Sequence, residues 1–234
     1  MAIDAMSFVV NPSIFSKVPY DPFKDFDPIA LPATTTTVLV VHPSLPVRSV
    51  KDLVALIKAN PGKYSYASSG IGGPPHLTAE LFRLALRLDL VHVPFNGAGP
   101  AVTSTLGGHT PIAFVSPASS VSQIKQGGLR ALAVATRTRL AALPDVPTMA
   151  ESGFPDIECD SRAGIVAPVG TPRDTIALLN REIGSVVELP DVKERLAAFG
   201  FEPVATTPED SARLLSAEGA KWAKVIREAG IRAE

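Results

Sequence analysis

Two segments of this chain share one design, and together they restrict the fold more than any other feature. In Tyr66–Leu77 (YASSGIGGPPHL) a strand-like run gives way to Ser68, Ser69, Gly70, Gly72 and Gly73, then two prolines, then a helical pattern from His76. In Leu90–Pro100 (LVHVPFNGAGP) an alternating run again enters a glycine turn, with a proline near the first helical turn. The two lie about thirty residues apart, the spacing of βα units. A strand that turns straight into a helix presents the helix's unpartnered N–H groups and its positive dipole end at the strand's carboxyl edge. Glycines let the backbone approach a ligand closely, and serines add hydroxyl donors. If the two strands are parallel neighbours, both helix N-termini open on one crevice suited to an anion. A tight loop that merely starts a helix is the plainer reading of either segment alone.

The rest of the chain fits an α/β protein with a mostly parallel sheet. Residues 11–32 carry several prolines and read as irregular, with at most a turn or two of helix, and nothing before Asn11 offers a strand or cap. Thr34–Val41 is β-branched and reads as a strand; Ser49 then caps a helix with Asp52 three residues on. Strands are expected at Tyr64–Ala67, Leu90–Phe95, Pro111–Val115, Leu129–Ala135 and Ile165–Ala167, and helices at His76–Leu86 and Ala118–Gln126. Thr148 and Glu151 form a capping box on a short helix ended by Gly153. Thr171-Pro172 and Thr207-Pro208 read as threonine N-caps followed by proline, the second opening a long helix through Trp222 to a stop at Gly230, with no strand among the late helices.

Composition excludes several classes. With net charge −1 and 19% charged residues there is no electrostatic footprint for nucleic acid. No apolar run approaches the ~20 residues needed to span a bilayer, so direct membrane insertion is not expected. Cys159 is the single cysteine, and its setting beside Asp160 suits a buried, inert thiol. His42, His76, His92 and His109 show no metal-ligand spacing, and no Walker A, GxGxxG or GxSxG sequence is present, so neither metal nor cofactor is implied. His76 could pair with a serine but reads more simply as a hydrogen-bonding residue at a helix start. Arg162, just before an apolar strand, is either a solvated strand-end cation or a partner for a carboxylate.

The runs YASSGIGGPPHLTAELF, VHVPFNGAGPAVTSTLGGH, GGLRALAVATRTRLAALPDVPTMAESGFP and GIVAPVGTPRDTIALLNREI, in this order, resemble the Bug family, the periplasmic substrate-binding proteins of tripartite tricarboxylate transporters. The similarity runs from Asn11-Pro12 to Gly230. It implies a type II periplasmic-binding-protein fold: two α/β domains joined by two crossing strands, here near Val38–Val41 and Gly164–Ala167, closing on a small carboxylate. The domains would be 1–42 with 161–234, and 43–160. The ligand-facing positions carried over are Ser68, Ser69, Gly70, Gly73, His76, Gly97, Ala98, Pro100 and Ser116. Arg162 stands where family members often carry an aromatic residue.

The resemblance also implies a signal peptide and about two βα units ahead of Met1, whose residues 1–7 would match the end of a later strand and its loop. On that expectation the first domain lacks central strands, the ligand site lacks a wall, and affinity is weak or absent. The implied function is a non-enzymatic receptor that hands a small organic acid to membrane transporter subunits in the periplasm. A ligand-sensing regulatory module of the same fold type is the alternative, and would need a DNA-binding segment or partner. An enzyme ranks third, since no nucleophile–base pair stands out.

Overall fold

In a computed structural model, which describes residues 1–232, the chain forms two compact units. One comprises Met1–Thr35 and the chain from Ser161 onward; the other is Thr36–Asp160, so the chain passes between units at 35/36 and 160/161.

The first unit begins with β1 (Ala2–Asp4), within the strand end that the resemblance implied for residues 1–7, and α1 (Ala5–Ile14), where a loop and then irregular chain were expected. Asp4 caps the helix by accepting the Ser7 N–H at 2.7 Å. Pro12 lies inside α1 and cannot donate to the Phe8 carbonyl. The Tyr20 hydroxyl donates to that carbonyl instead, at 3.1 Å, and its ring stacks on Phe8 with centroids 5.0 Å apart. The second correction is β2 (Phe26–Thr36), which runs through Pro28 and Pro32.

Further on come β8 (Asp160–Pro168), α6 (Arg173–Val187), α7 (Pro190–Ala198), β9 (Glu202–Pro203) and α8 (Pro208–Ala229). The sheet order is β1-β8-β2-β9. β9 pairs β2 only at Ala33 and Thr34, and Pro32 accepts the Val204 N–H. Pro32, whose carbonyl faces β9, therefore has its missing donor on the side that β9 barely covers. β9 and α7 break the run of late helices that the sequence suggested. Pro172 occupies the N-cap of α6, while the Thr171 hydroxyl bonds back to the Pro168 carbonyl at 2.7 Å. α8 begins and ends as read, capped by Thr207 and stopped by Gly230 at φ 68°. It packs on α1, with Trp222 fully buried and its indole N–H donating to Glu218 at 2.6 Å.

The second unit comprises β3 (Val38–Val41), α2 (Val50–Ala59), β4 (Ser65–Ser68), α3 (Pro74–Leu86), β5 (Val91–Pro94), α4 (Ala98–Leu106), β6 (Ile112–Val115), α5 (Pro117–Lys125) and β7 (Arg130–Val134). Its sheet order is β5-β4-β6-β3-β7. β4 pairs β5 and β6 in parallel, whereas β3 pairs β6 and β7 antiparallel. The sheet is therefore mixed: β3 alone runs against the others, buried on all four residues. Its inward residues Val38 and Val40 join Ala67, Ala113, Val115 and Val134 in the core. The expected strand Thr34–Val41 is thus two, broken at Thr37. The Thr148–Glu151 box forms both of its hydrogen bonds, at 2.8 and 3.0 Å, but closes a turn rather than a helix. Cys159 is fully buried.

Candidate functional site

Because β5, β4 and β6 run parallel side by side, their carboxyl ends meet at one edge, and each leads into a helix. β4 feeds α3 through Ser69–Gly73, β5 feeds α4 through Phe95–Gly97, and β6 feeds α5 through Ser116. The sequence pattern identified the first two of these junctions; Ser116 marks a third. The N-caps are Gly73, Gly97 and Ser116, and none makes a side-chain capping bond. None of the three helices has an acidic residue in its first turn. Every other helix is compensated: α1, α2 and α8 by Asp4, Ser49 and Thr207, and α6 and α7 by Asp174 and Asp191 in the first turn. Three neighbouring helix dipoles thus end with their positive poles unmatched by side chains.

The prolines limit which N–H groups remain. Pro74 and Pro75 take the first two positions of α3, leaving His76 as its first helical donor. In α4 the donors are Ala98 and Gly99, since Pro100 has none. In α5 Pro117 leads, the Ser119 N–H turns back to the Ser116 carbonyl at 3.2 Å, and Ala118 remains, exposed. No Lys or Arg lies within 68–73, 96–100 or 116–118, so any anion here meets backbone and hydroxyl groups rather than a cationic side chain.

The loops are bound to each other. The Phe95 N–H donates to the Ser68 carbonyl at 3.0 Å, and the Gly97 N–H to the Ser69 carbonyl at 3.1 Å. Gly70, Gly72 and Gly97 have φ of 138°, 80° and 108°, values that a side chain would strain. Nothing lies within 4 Å of a Cβ built on Gly97, so there the backbone angle alone excludes other residues.

The predicted positions divide by what the structure does with them. Ser69, Gly70, Gly73, Gly97, Ala98, Pro100 and Ser116 lie in these loops and first turns and are partly or fully accessible, except as their neighbours cover them. Ser68 is fully buried, its hydroxyl 2.7 Å from His92 Nε2 and 3.0 Å from the Gly70 carbonyl. His76 is 4% exposed, and its Nδ1 accepts the Gly72 N–H at 3.0 Å. Arg162 belongs to the other unit, where its guanidinium lies 3.6 Å from a carboxylate oxygen of Glu218.

Sequence reasoning gave His92 no role beyond its spacing, yet it links the two loops. Its ring stacks on His76 at 4.0 Å between centroids and on Tyr66, its register partner on β4, at 4.8 Å. Beneath them the Tyr66 hydroxyl donates to the buried Glu80 at 2.6 Å, and Arg83 grips Glu80 through two N–H groups. Burial holds the His76 imidazole down to about 4, with Glu80 opposing and Arg83 assisting. Burial, then the charge of His76, lowers His92 to about 3. Burial pushes the Tyr66 phenol up, reinforced by Glu80. Both imidazoles are therefore neutral at physiological pH. Among the described residues there is no cluster of three metal-ligating side chains, and no helix is long and apolar enough to cross a membrane.

Residues 1–231 match the model of the tripartite tricarboxylate transporter family receptor, TctC. Protein BugT of Bordetella pertussis is 35% identical over 223 residues, covering 95% of this chain and 68% of BugT. An R. palustris protein solved with adipate is 31% identical with a TM-score of 0.87, covering 99% of this chain and 78% of that one. MatC of Rhodopseudomonas palustris, solved with bound malate, is 26% identical with a TM-score of 0.82, covering 96% and 78%. The two-unit α/β fold is that of these periplasmic binding proteins, a transport family rather than an enzyme family. The chain belongs to the TctC family of tripartite tricarboxylate transporter receptors.

Proposed function

We propose that the second unit receives a carboxylate group of a small organic acid at the N-termini of α3, α4 and α5, and that the chain serves as the periplasmic receptor of a tripartite transporter. One observation carries this reading. The three helices that follow β4, β5 and β6 are the ones that have neither a capping side chain nor an acid in the first turn. Leaving a helix N-terminus uncompensated forgoes about 0.3–1 kcal/mol each, a cost that a bound anion recovers. Three such ends at one sheet edge form a place for a carboxylate and disfavour one for a cation. The relatives solved with adipate and malate bind carboxylic acids, which supports the same class of ligand for this chain.

The contacts proposed are the backbone around Ser69, Gly70 and Gly73, the first turn at Gly97, Ala98 and Gly99 beside Pro100, and Ser116 with Ala118. A thermal-shift panel of mono-, di- and tricarboxylates at neutral pH, up to millimolar concentration, tests the reading, with the matching amides as controls. Binding to the folded state raises the melting temperature by mass action. Carboxylates are expected to raise it in a saturable way while the amides do not. Equal shifts for acids and amides, or none for either, would overturn the assignment.

A further inference from the structure

The loop Ser69–Gly73 contains two glycines with positive φ and cannot hold its shape by local preference alone. Besides the Gly97 N–H to Ser69 carbonyl bond, two side-chain contacts hold it, one partly buried and one buried, and both come from imidazoles. At its start, His92 Nε2 meets the Ser68 hydroxyl, which also bonds the Gly70 carbonyl. At its end, His76 Nδ1 accepts the Gly72 N–H. The exposed Ile71 lies between these two anchors. Stacking of the rings at 4.0 Å makes the anchors one unit, which Tyr66, Phe114 and the Glu80–Arg83 pair brace from within the same unit.

The choice of residue type is informative. His76 is the third residue of α3, the position from which a Glu or Gln side chain reaches back to the chain in a capping box. A glutamate there would set a full negative charge at the helix N-terminus and repel an anion. A neutral imidazole reaches back in the same sense, to the Gly72 N–H one residue before the N-cap, without that charge. Its Nδ1 must carry no proton to accept from Gly72, and burial keeps it uncharged near neutrality; of the titratable groups facing it (His92, Glu80, Arg83 and Tyr66), Glu80 opposes this and Arg83 assists.

We propose that His76 and His92 are positioning residues for the carboxylate loop: a stacked pair whose rings fix the Ser69–Gly73 backbone through Gly72 and Ser68 without themselves touching the ligand. This rests on the carboxylate reading above and deepens it.

The test uses the full chain with adipate as probe, comparing His76→Leu with His76→Asn, whose side-chain oxygen can stand in for Nδ1, and His92→Leu with His92→Gln. Two readouts are taken: hydrogen exchange at the Gly70 and Gly72 amides, and the adipate dissociation constant by NMR titration. Circular dichroism selects variants that keep native helix content. The leucine variants are expected to exchange faster at both glycines and to bind adipate roughly 2- to 10-fold more weakly, the equivalent of one lost hydrogen bond. The amide-bearing variants should recover most of both, even where their melting temperature stays lowered. Unchanged loop exchange in folded leucine variants would overturn the positioning role. Equal weakening in the Leu and amide variants would also overturn it, by reducing the histidines to core packing. If the unsubstituted chain shows no carboxylate binding, the site assignment fails, and loop exchange still decides whether the histidines fix the loop.

Discussion

Replacing Ala118 with aspartate separates what the α5 N-terminus does for the fold from what it does for a ligand. Ala118 is exposed, sits second in α5 behind Pro117, and keeps a free helical N–H at a terminus without acidic residues. An aspartate there complements the helix dipole and should stabilise the fold by about 0.3–1 kcal/mol. The same charge would face a bound carboxylate. At a separation of about 6 Å, two like charges repel by roughly 0.7 kcal/mol in bulk water and about 3 kcal/mol at the effective dielectric near a protein surface. Affinity for a dicarboxylate should therefore fall roughly 3- to 150-fold while the melting temperature holds or rises. Ala118→Asn keeps the shape without the charge and should bind within about 2-fold of the original chain. Isothermal titration of both variants at low and high salt is the assay, and the gap between them should narrow as salt screens the charges. Aspartate and asparagine variants of equal affinity would refute the idea that this helix end carries the anion.

Two predictions concern stability. Tyr20→Phe leaves the Phe8 carbonyl without the donor that replaces the N–H missing at Pro12, so urea unfolding should show a loss of about 1–3 kcal/mol; an unchanged midpoint would mean that water serves equally well. Acid sensitivity should come in part from His76. Its folded value of about 4 lies below its ordinary 6.5, so the unfolded chain binds the extra proton first. Stability is then fully present above about 6.5 and declines as pH falls towards 4, by roughly 3 kcal/mol for this group at the lower end. The decline should be shallower in His76→Asn, and a parallel pH profile in the two proteins would contradict the assignment.

The parts of the molecule legible in the sequence are those where local chemistry and tertiary context agree. Glycine followed by proline after an alternating run located the β4–α3 and β5–α4 junctions, because those residues are needed for the turn itself. Ser49, Thr207 and Gly230 were equally readable, since a cap is a local hydrogen bond. The misses were cases of tertiary rescue. Pro12 sits in a helix because Tyr20, eight residues away, supplies the missing donor. Pro32 sits in a strand because the two-residue β9 leaves that side nearly uncovered. Four apolar residues such as Val38–Val41 carry no sign of strand direction, so the reversed β3 could not be read. In the site, spacing placed His92 on a strand, but only the fold brings its ring against Ser68 and His76.

The central claim, that three uncapped helix ends receive the carboxylate, is met most directly by an amide NMR titration of the chain with a dicarboxylate. Saturable shifts are expected at Ser69–Gly73, Ala98, Gly99 and Ala118, absent with the matching diamide. Shifts confined to other residues, or identical with acid and amide, would contradict it.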